Sequence, residues 1–209
     1  MFKDKREAGI KLSDEIRGLL LDIHSSTISL DSIEKATQGI AEVRKVLHGS
    51  RRPRWYELFE NNLSALEEEN IRIEARDHSL FRGELNPLSI PIKVRTEIGV
   101  GDEEVIIGEV RIDRCREGPQ GRVHGGYLAG LFDDVLSGAV RLAGGGPAVT
   151  GRLKVRYKRA TPIDKELRFE ARLESSLGRR IIAKAVCLAD GEVTAEAEAL
   201  FVKLSNLEK

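Results

Sequence analysis

The spacing of apolar residues changes once along the chain. In the first third they recur at steps of three and four. Residues 3 to 24 bring Ile10, Ile16, Leu19, Leu20 and Ile23 to about one face, with charges filling the rest. That is a helical period. The polar run Ser25-Ser26-Thr27 breaks it, and Asp31 with Glu34 reads as a capping box opening a second helix that carries Ile33, Ala36, Ile40, Val43 and Leu47. Gly49-Ser50 ends that helix, and Arg51-Arg52-Pro53-Arg54 begins the next element. Trp55, Leu58, Phe59, Leu63 and Leu66 make a third stripe, closing in the acid run Glu67-Glu68-Glu69. Three amphipathic helices with short links predict a small helical extension whose stripes must be buried on each other, on a second domain or on another subunit.

After the loop around Gly83 and Pro87 the period becomes two. Ile92, Val94, Thr96 and Ile98 alternate with Lys93, Arg95 and Glu97, and Val105–Ile112 follows as a second strand after the turn Gly99-Val100-Gly101-Asp102. Residues 124–143 predict one long helix, ended by Gly144-Gly145-Gly146-Pro147. Four more strands are expected at Val149–Tyr157, Leu167–Leu177, Arg180–Leu188 and Val193–Leu204, with hairpin turns at Gly178 and Asp190-Gly191. In the first of these, Val149, Gly151, Leu153, Val155 and Tyr157 are expected to share one side. The helix carries Leu128, Leu131, Phe132, Val135, Ala139, Val140 and Leu142, too much apolar surface for an exposed helix. A largely antiparallel sheet curling around one central helix buries it. The predicted class is α+β, with a helical extension over residues 1–78 and a second domain over 79–209.

Composition narrows the function classes. The 34 basic and 34 acidic side chains cancel, so nothing global attracts nucleic acid or a membrane surface. The arginines at 51, 52 and 54 lack an aromatic platform and read as a solvated helix start. No apolar run approaches the ~20 residues that span a bilayer. The start MFKDKREAGIKLSDE is too charged for a signal peptide, so a cytoplasmic protein is expected. Cys115 and Cys187 have no metal or redox spacing, and the four histidines are scattered, so no metal site is expected.

The chemistry concentrates in GPQGRVHGGYLAGLFDDVLSG, residues 118–138. Glycines before a helix let the backbone approach a ligand and leave the first N–H groups free to point at it. The helix dipole adds to the pull on an anion or a polarised carbonyl. A carboxylate further along the same helix supplies a second group, and together they suit acyl transfer. Asp133 and Asp134 are consecutive and point about 100° apart, so only one of them faces a substrate.

These residues resemble the hotdog-fold acyl-CoA thioesterases of the PaaI-like group. The resemblance covers roughly residues 80 to 205. It rests on the 118–138 stretch, on VTGRLKVRYKRATP, on GRR, and on DGEVTAEAEALFVKL, each at the family's spacing. GELNPLSIP also resembles the segment before the first strand in longer members that carry a helical N-terminal extension. The resemblance implies a homodimer, often paired again into a tetramer, with acyl-CoA sites where one chain's loop meets the other's helix. It implies no metal or cofactor, CoA being part of the substrate. By position, the N–H of Gly125 or Gly126 polarises the thioester carbonyl, His124 orients the turn or the carbonyl, and Asp133 is nucleophile or general base. Ser137 matches a hydroxyl position that holds the water or the acid, and Thr150 a catalytic threonine. CoA phosphates are expected on one or two of Arg156, Lys158, Arg159, Arg179 and Arg180. One departure stands out: many relatives place Asn or Gln six residues before the histidine, where this chain has Gly118, with Gln120 nearby.

The expected function is hydrolysis of an acyl-CoA thioester. The alternatives are a non-catalytic acyl-CoA-binding protein and a hotdog hydratase or dehydratase; the spacing from His124 to Asp133 speaks against the last.

Overall fold

The structure, a computed structural model, describes residues 2–50 and 64–204. The predicted stripe at Trp55, Leu58, Phe59 and Leu63 and the arginines at 51, 52 and 54 lie outside the described residues. The chain divides into two compact units, Met1–Ser79 with Glu84–Pro87, and Leu80–Gly83 with Leu88–Lys209.

The first unit holds helices α1 (Phe2–Ser25), α2 (Leu30–Val46) and α3 (Ala65–Asp77). Ser29 rather than Asp31 caps α2, its side chain accepting the Ser32 N–H, and Asp31 sits in the first turn. A true capping box opens α3, where Ser64 and Glu67 satisfy each other's backbone. The acid run therefore begins a helix instead of closing one, as carboxylates suit the positive end of a helix dipole. Arg6 on α1 forks onto the nearly buried Asp77 carboxylate (2.7 and 3.0 Å), and Arg17 donates to the carbonyls of Glu84 and Asn86. None of the residues of α2 is buried.

The second unit is a six-stranded, wholly antiparallel sheet with two short helices. Its strands are β1 (Lys93–Ile98), β2 (Glu104–Arg111), β3 (Ala148–Tyr157), β4 (Glu166–Leu177), β5 (Arg180–Ala189) and β6 (Glu192–Lys203), in the order β1-β2-β4-β5-β6-β3. Asp190 and Gly191, both at positive φ, close the β5–β6 hairpin as the sequence predicts. Helix α4 (Gly125–Leu136) packs against the sheet and buries Leu128, Leu131, Phe132, Val135 and Leu136. The facing positions of β5 and β6 are mostly alanine, at 183, 185, 195, 197 and 199, all buried. Small side chains there lower the sheet surface where the helix passes, while Phe132 and Phe169 fill the flank edge to face at 5.1 Å. Gly108 on β2 is required by the same approach: a Cβ would stand 2.8 Å from Val135.

Two local expectations are corrected. The helix predicted over 124–143 is broken at Ser137 into α4 and α5 (Gly138–Leu142), with Gly138 pressed so closely on Ile106 that a Cβ would lie 2.9 Å from it. In β3, the register against β6 slips between Thr150 and Arg152, leaving Gly151 as a bulge. An inserted residue reverses the alternation. Thr150 therefore stands opposite the core residue Phe201, on the helix side with Leu153, Val155 and Tyr157, and Val149 is on the other face.

Candidate functional site

The loop before α4 is held by its own backbone. Glu117 bridges Val123, Gly118 N–H donates to the Arg122 carbonyl (2.8 Å), and the Glu117 carboxylate accepts the N–H of Gly121, whose φ is +72°. His124 N–H donates to the Arg116 carbonyl, and Val123 N–H to that of Thr161. Arg116 stays in place by bonding the Asp113 carboxylate and the Leu88 carbonyl and by lying over the Tyr127 ring. The helix entry is thus held by bonds within the protein itself.

His124 is the N-cap. Its Nδ1 accepts the Gly126 N–H at 3.1 Å, which places the ring proton of the neutral form on Nε2. Gly126 is spent on the cap, and a Cβ there would meet the imidazole at 3.3 Å. The Gly125 N–H donates to no acceptor among the described residues. It is the first N–H of the helix, aimed along the positive end of the dipole. The Gly125 carbonyl accepts the Tyr157 hydroxyl at 2.7 Å, and a Cβ on Gly125 would come within 3.2 Å of that oxygen. Tyr157, read from sequence only as a strand residue, ties the end of β3 to the start of α4.

Gly118 is equally constrained, since a Cβ would stand 3.0 Å from the Cα of His124. An Asn or Gln there would require the turn to give by a few tenths of an ångström. Gln120 is exposed.

The two acids have different partners. Asp133 Oδ1 accepts the Thr150 hydroxyl at 2.9 Å, a pairing that the Gly151 bulge makes possible. Asp134, with 18% of its side chain exposed, is paired with Arg82, whose guanidinium also donates to the Asp134 carbonyl at 2.6 Å. Burial pushes the Asp134 carboxyl above its ordinary range; Arg82 pulls it back, and the charge of Asp133 adds to the rise. Ser137 belongs to the second group: its hydroxyl donates to the Asp134 carbonyl at 2.6 Å. The structure therefore brings Asp133 and Thr150 together and sets Ser137 with Asp134 and Arg82. Nothing in the sequence marks Arg82, which lies in a segment that reads as loop.

The basic residues form two groups. Lys158 and Arg159 at the end of β3 pair with Glu196 and Glu192, and Arg156 is exposed beside them. Arg179 donates to the Lys203 carbonyl (2.9 Å) at the β4–β5 turn, next to Arg180. Arg180 stands opposite Val202, which pairs with Val149 at the far end of β3. The groups are roughly 25 Å apart by strand rise.

Distance along α4 also separates the chemistry. Gly125 and Asp133 are about 12 Å apart along the axis at 1.5 Å per residue. A reacting carbonyl lies about 3 Å from both its hydrogen-bond donor and its attacking group. Within one copy of the chain, Gly125 and Asp133 cannot serve the same carbonyl.

Among the described residues no cluster of His, Cys, Asp and Glu could hold a metal ion, and no helix is long and apolar enough to cross a membrane.

Comparison with known proteins bears on the same region. Residues 120–194 match the family model of the thioesterase superfamily. Acyl-coenzyme A thioesterase THEM4 of Xenopus laevis is 35% identical over 91 residues, covering 42% of this chain and 40% of that protein. The chain thus spans about two fifths of that relative's length. Among solved structures, the thioesterase superfamily protein RHA08564 superposes with a TM-score of 0.74 at 25% identity, over 93% of this chain and 94% of that one. A thioesterase superfamily protein from Shewanella loihica PV-4 gives a TM-score of 0.45 at 20% identity, over 54% of this chain and 91% of that one. The helices and the antiparallel sheet around α4 are those of a hotdog fold, and residues 120–194, which hold its central motif, are similar to the thioesterase superfamily.

Proposed function

We propose that this protein hydrolyses an acyl-CoA thioester at a site composed from two copies of the chain. The carrying observation is the pair of separated half-sites on α4. A free N–H at Gly125 and a carboxylate at Asp133 suit one reaction, yet about 12 Å of helix divides them. A second copy brings its own Asp133 to the first copy's Gly125. β3, at the edge of the sheet, offers the unpaired backbone along which two such sheets join.

In this reading the thioester carbonyl oxygen sits on the Gly125 N–H, where the helix start stabilises the charge of the tetrahedral intermediate. His124 holds the entry turn and, through Nδ1, keeps Gly126 out of competition. The partner copy's Asp133, fixed by Thr150, removes a proton from water as the water oxygen attacks the carbonyl carbon. The C–S bond then breaks, and CoA leaves as the thiolate, which needs no strong acid. The same carboxylate acting as nucleophile through an acyl-Asp intermediate uses the same geometry. Arg156 with Lys158 and Arg159, or Arg179 with Arg180, supply cations for the CoA phosphates. The reaction draws on no cofactor beyond the CoA of the substrate. The relative THEM4 carries the activity in its name.

The test is thiol release from a panel of acyl-CoA thioesters differing in acyl chain, with wild type and Asp133→Ala. Release that is lost in Asp133→Ala supports the reading. CoA binding without release from any thioester overturns it in favour of a binding protein.

A further inference from the structure

Two neighbouring carboxylates on one helix repel, and a site that uses one of them must dispose of the other. Segment Leu80–Gly83 does this. The Phe81 carbonyl accepts the Ile92 N–H at 2.9 Å, which anchors the segment beside β1. The Phe81 ring lies in the notch left by Gly130, where a Cβ would come within 2.2 Å of it, and packs edge-on against Tyr127 at 5.5 Å. One turn on, Arg82 takes both the carboxylate and the carbonyl of Asp134. That carbonyl is an end group of α4, next to the break at Ser137, and it receives the Ser137 hydroxyl as well. Tyr127, Gly130 and Asp134 mark one stripe of α4, at helical spacing. Asp133 is about 100° round the helix from Asp134 and meets Thr150.

We propose that Arg82 is a positioning residue for Asp133. It clamps the carboxylate and carbonyl of Asp134, fixes the end of α4, and matches the neighbouring negative charge, so that Asp133 alone is presented to Thr150 and to a substrate. This rests on the reading of Asp133 as the reacting carboxylate. The charged groups whose fields Asp134 feels are Arg82 from the segment and Asp133 on its own helix. Without Arg82 nothing matches the charge of Asp134, which burial already disfavours and which Asp133 repels.

Two readouts separate this role from simple packing: the split of kcat against KM, and the carboxyl ¹³C resonance of Asp133 in aspartate-labelled protein, which reports its bond to Thr150. Arg82→Gln should lower kcat about tenfold with KM near wild type, and should displace that resonance. Arg82→Lys, which keeps the charge, should hold both near wild type. Arg82→Gln/Asp134→Asn should recover both, because the unmatched second charge is gone. An unmoved Asp133 resonance in Arg82→Gln, or no recovery in the double variant, overturns the proposal. Should Arg82→Gln fail to fold, the double variant must show the wild-type resonance, and a displaced resonance there overturns the proposal equally. If the wild type hydrolyses no acyl-CoA, the proposed function fails, while the ¹³C resonance still decides the role of Arg82.

Discussion

Replacing Gly125 with proline deletes one backbone N–H and disturbs little else. Proline suits the first position of a helix, whose N–H has no partner within the helix. The preceding residue, His124, already has φ −59° and ψ 129°, the extended geometry that proline requires before it. The new Cβ stands 3.2 Å from the Tyr157 hydroxyl, a few tenths of an ångström tight against the end of a half-exposed side chain. Loss of the proposed oxyanion donor should lower kcat by about 10² to 10³. Asp133→Ala should be at least as severe. For the proposed site composed from two copies, the informative sample is a mixed dimer purified through two different tags. Each chain then carries one lesion, so one of its two sites has both lesions and the other has neither. Such dimers should recover about half the wild-type rate, because a two-fold interface places residues of both copies in each site. Thiol release at saturating acyl-CoA measures it. The reasoning is refuted if purified mixed dimers are as inactive as either parent: that would put Gly125 and Asp133 of one chain in one site, against the roughly 12 Å between them.

Other outcomes follow from single contacts. Thr150→Val removes the hydrogen bond to Asp133 and should lower kcat/KM about 10- to 100-fold, the equivalent of a hydrogen bond to a charged group, whereas Thr150→Ser should stay within a few-fold of wild type. Gly108→Val places a side chain 2.8 Å from Val135 and should cost about 1–3 kcal/mol, a fall in Tm of roughly 2–12 °C by calorimetry. The bonds from Arg95, and then from Arg168, hold the Glu109 carboxyl down at about 2. A carboxylate depressed on folding stabilises above its ordinary value and loses that contribution as pH falls toward 2. The urea midpoint should therefore decline between about pH 4.5 and 2, and Glu109→Gln should flatten the decline. Burial pushes the Cys187 thiol up to about 12, so a maleimide should label it only after unfolding, and the pace of labelling should track the unfolding equilibrium measured by urea.

Much of the candidate site's arrangement was readable in one dimension because it is local. The cap, the two glycines and Asp133 lie within ten residues on one helix entry, and backbone chemistry fixes what glycine and an N-cap do there. Thr150 was readable through its place in the motif but not through the strand period, which put it on the wrong face. The Gly151 bulge reverses that period, and a lone glycine in a strand does not announce whether it bulges. The roles of Tyr157 and Arg82 were not readable at all. Each acts across tens of residues, on a carbonyl or carboxylate that no spacing rule connects to it.

The alternation of apolar residues was enough by itself to specify six strands, a buried helix and their order, because period and turn chemistry are properties of short segments. It likewise gave α1 and α2, though not their caps. Only the folded chain decided that the long apolar run breaks at Ser137, that the two adjacent acids have different partners, and that Gly126 is consumed by His124 while Gly125 is left free. The reason is the same in each case. A carbonyl, an N–H or a carboxylate is assigned by whichever partner the packing brings within about 3 Å, and that partner is set by the sheet and the segment laid over α4.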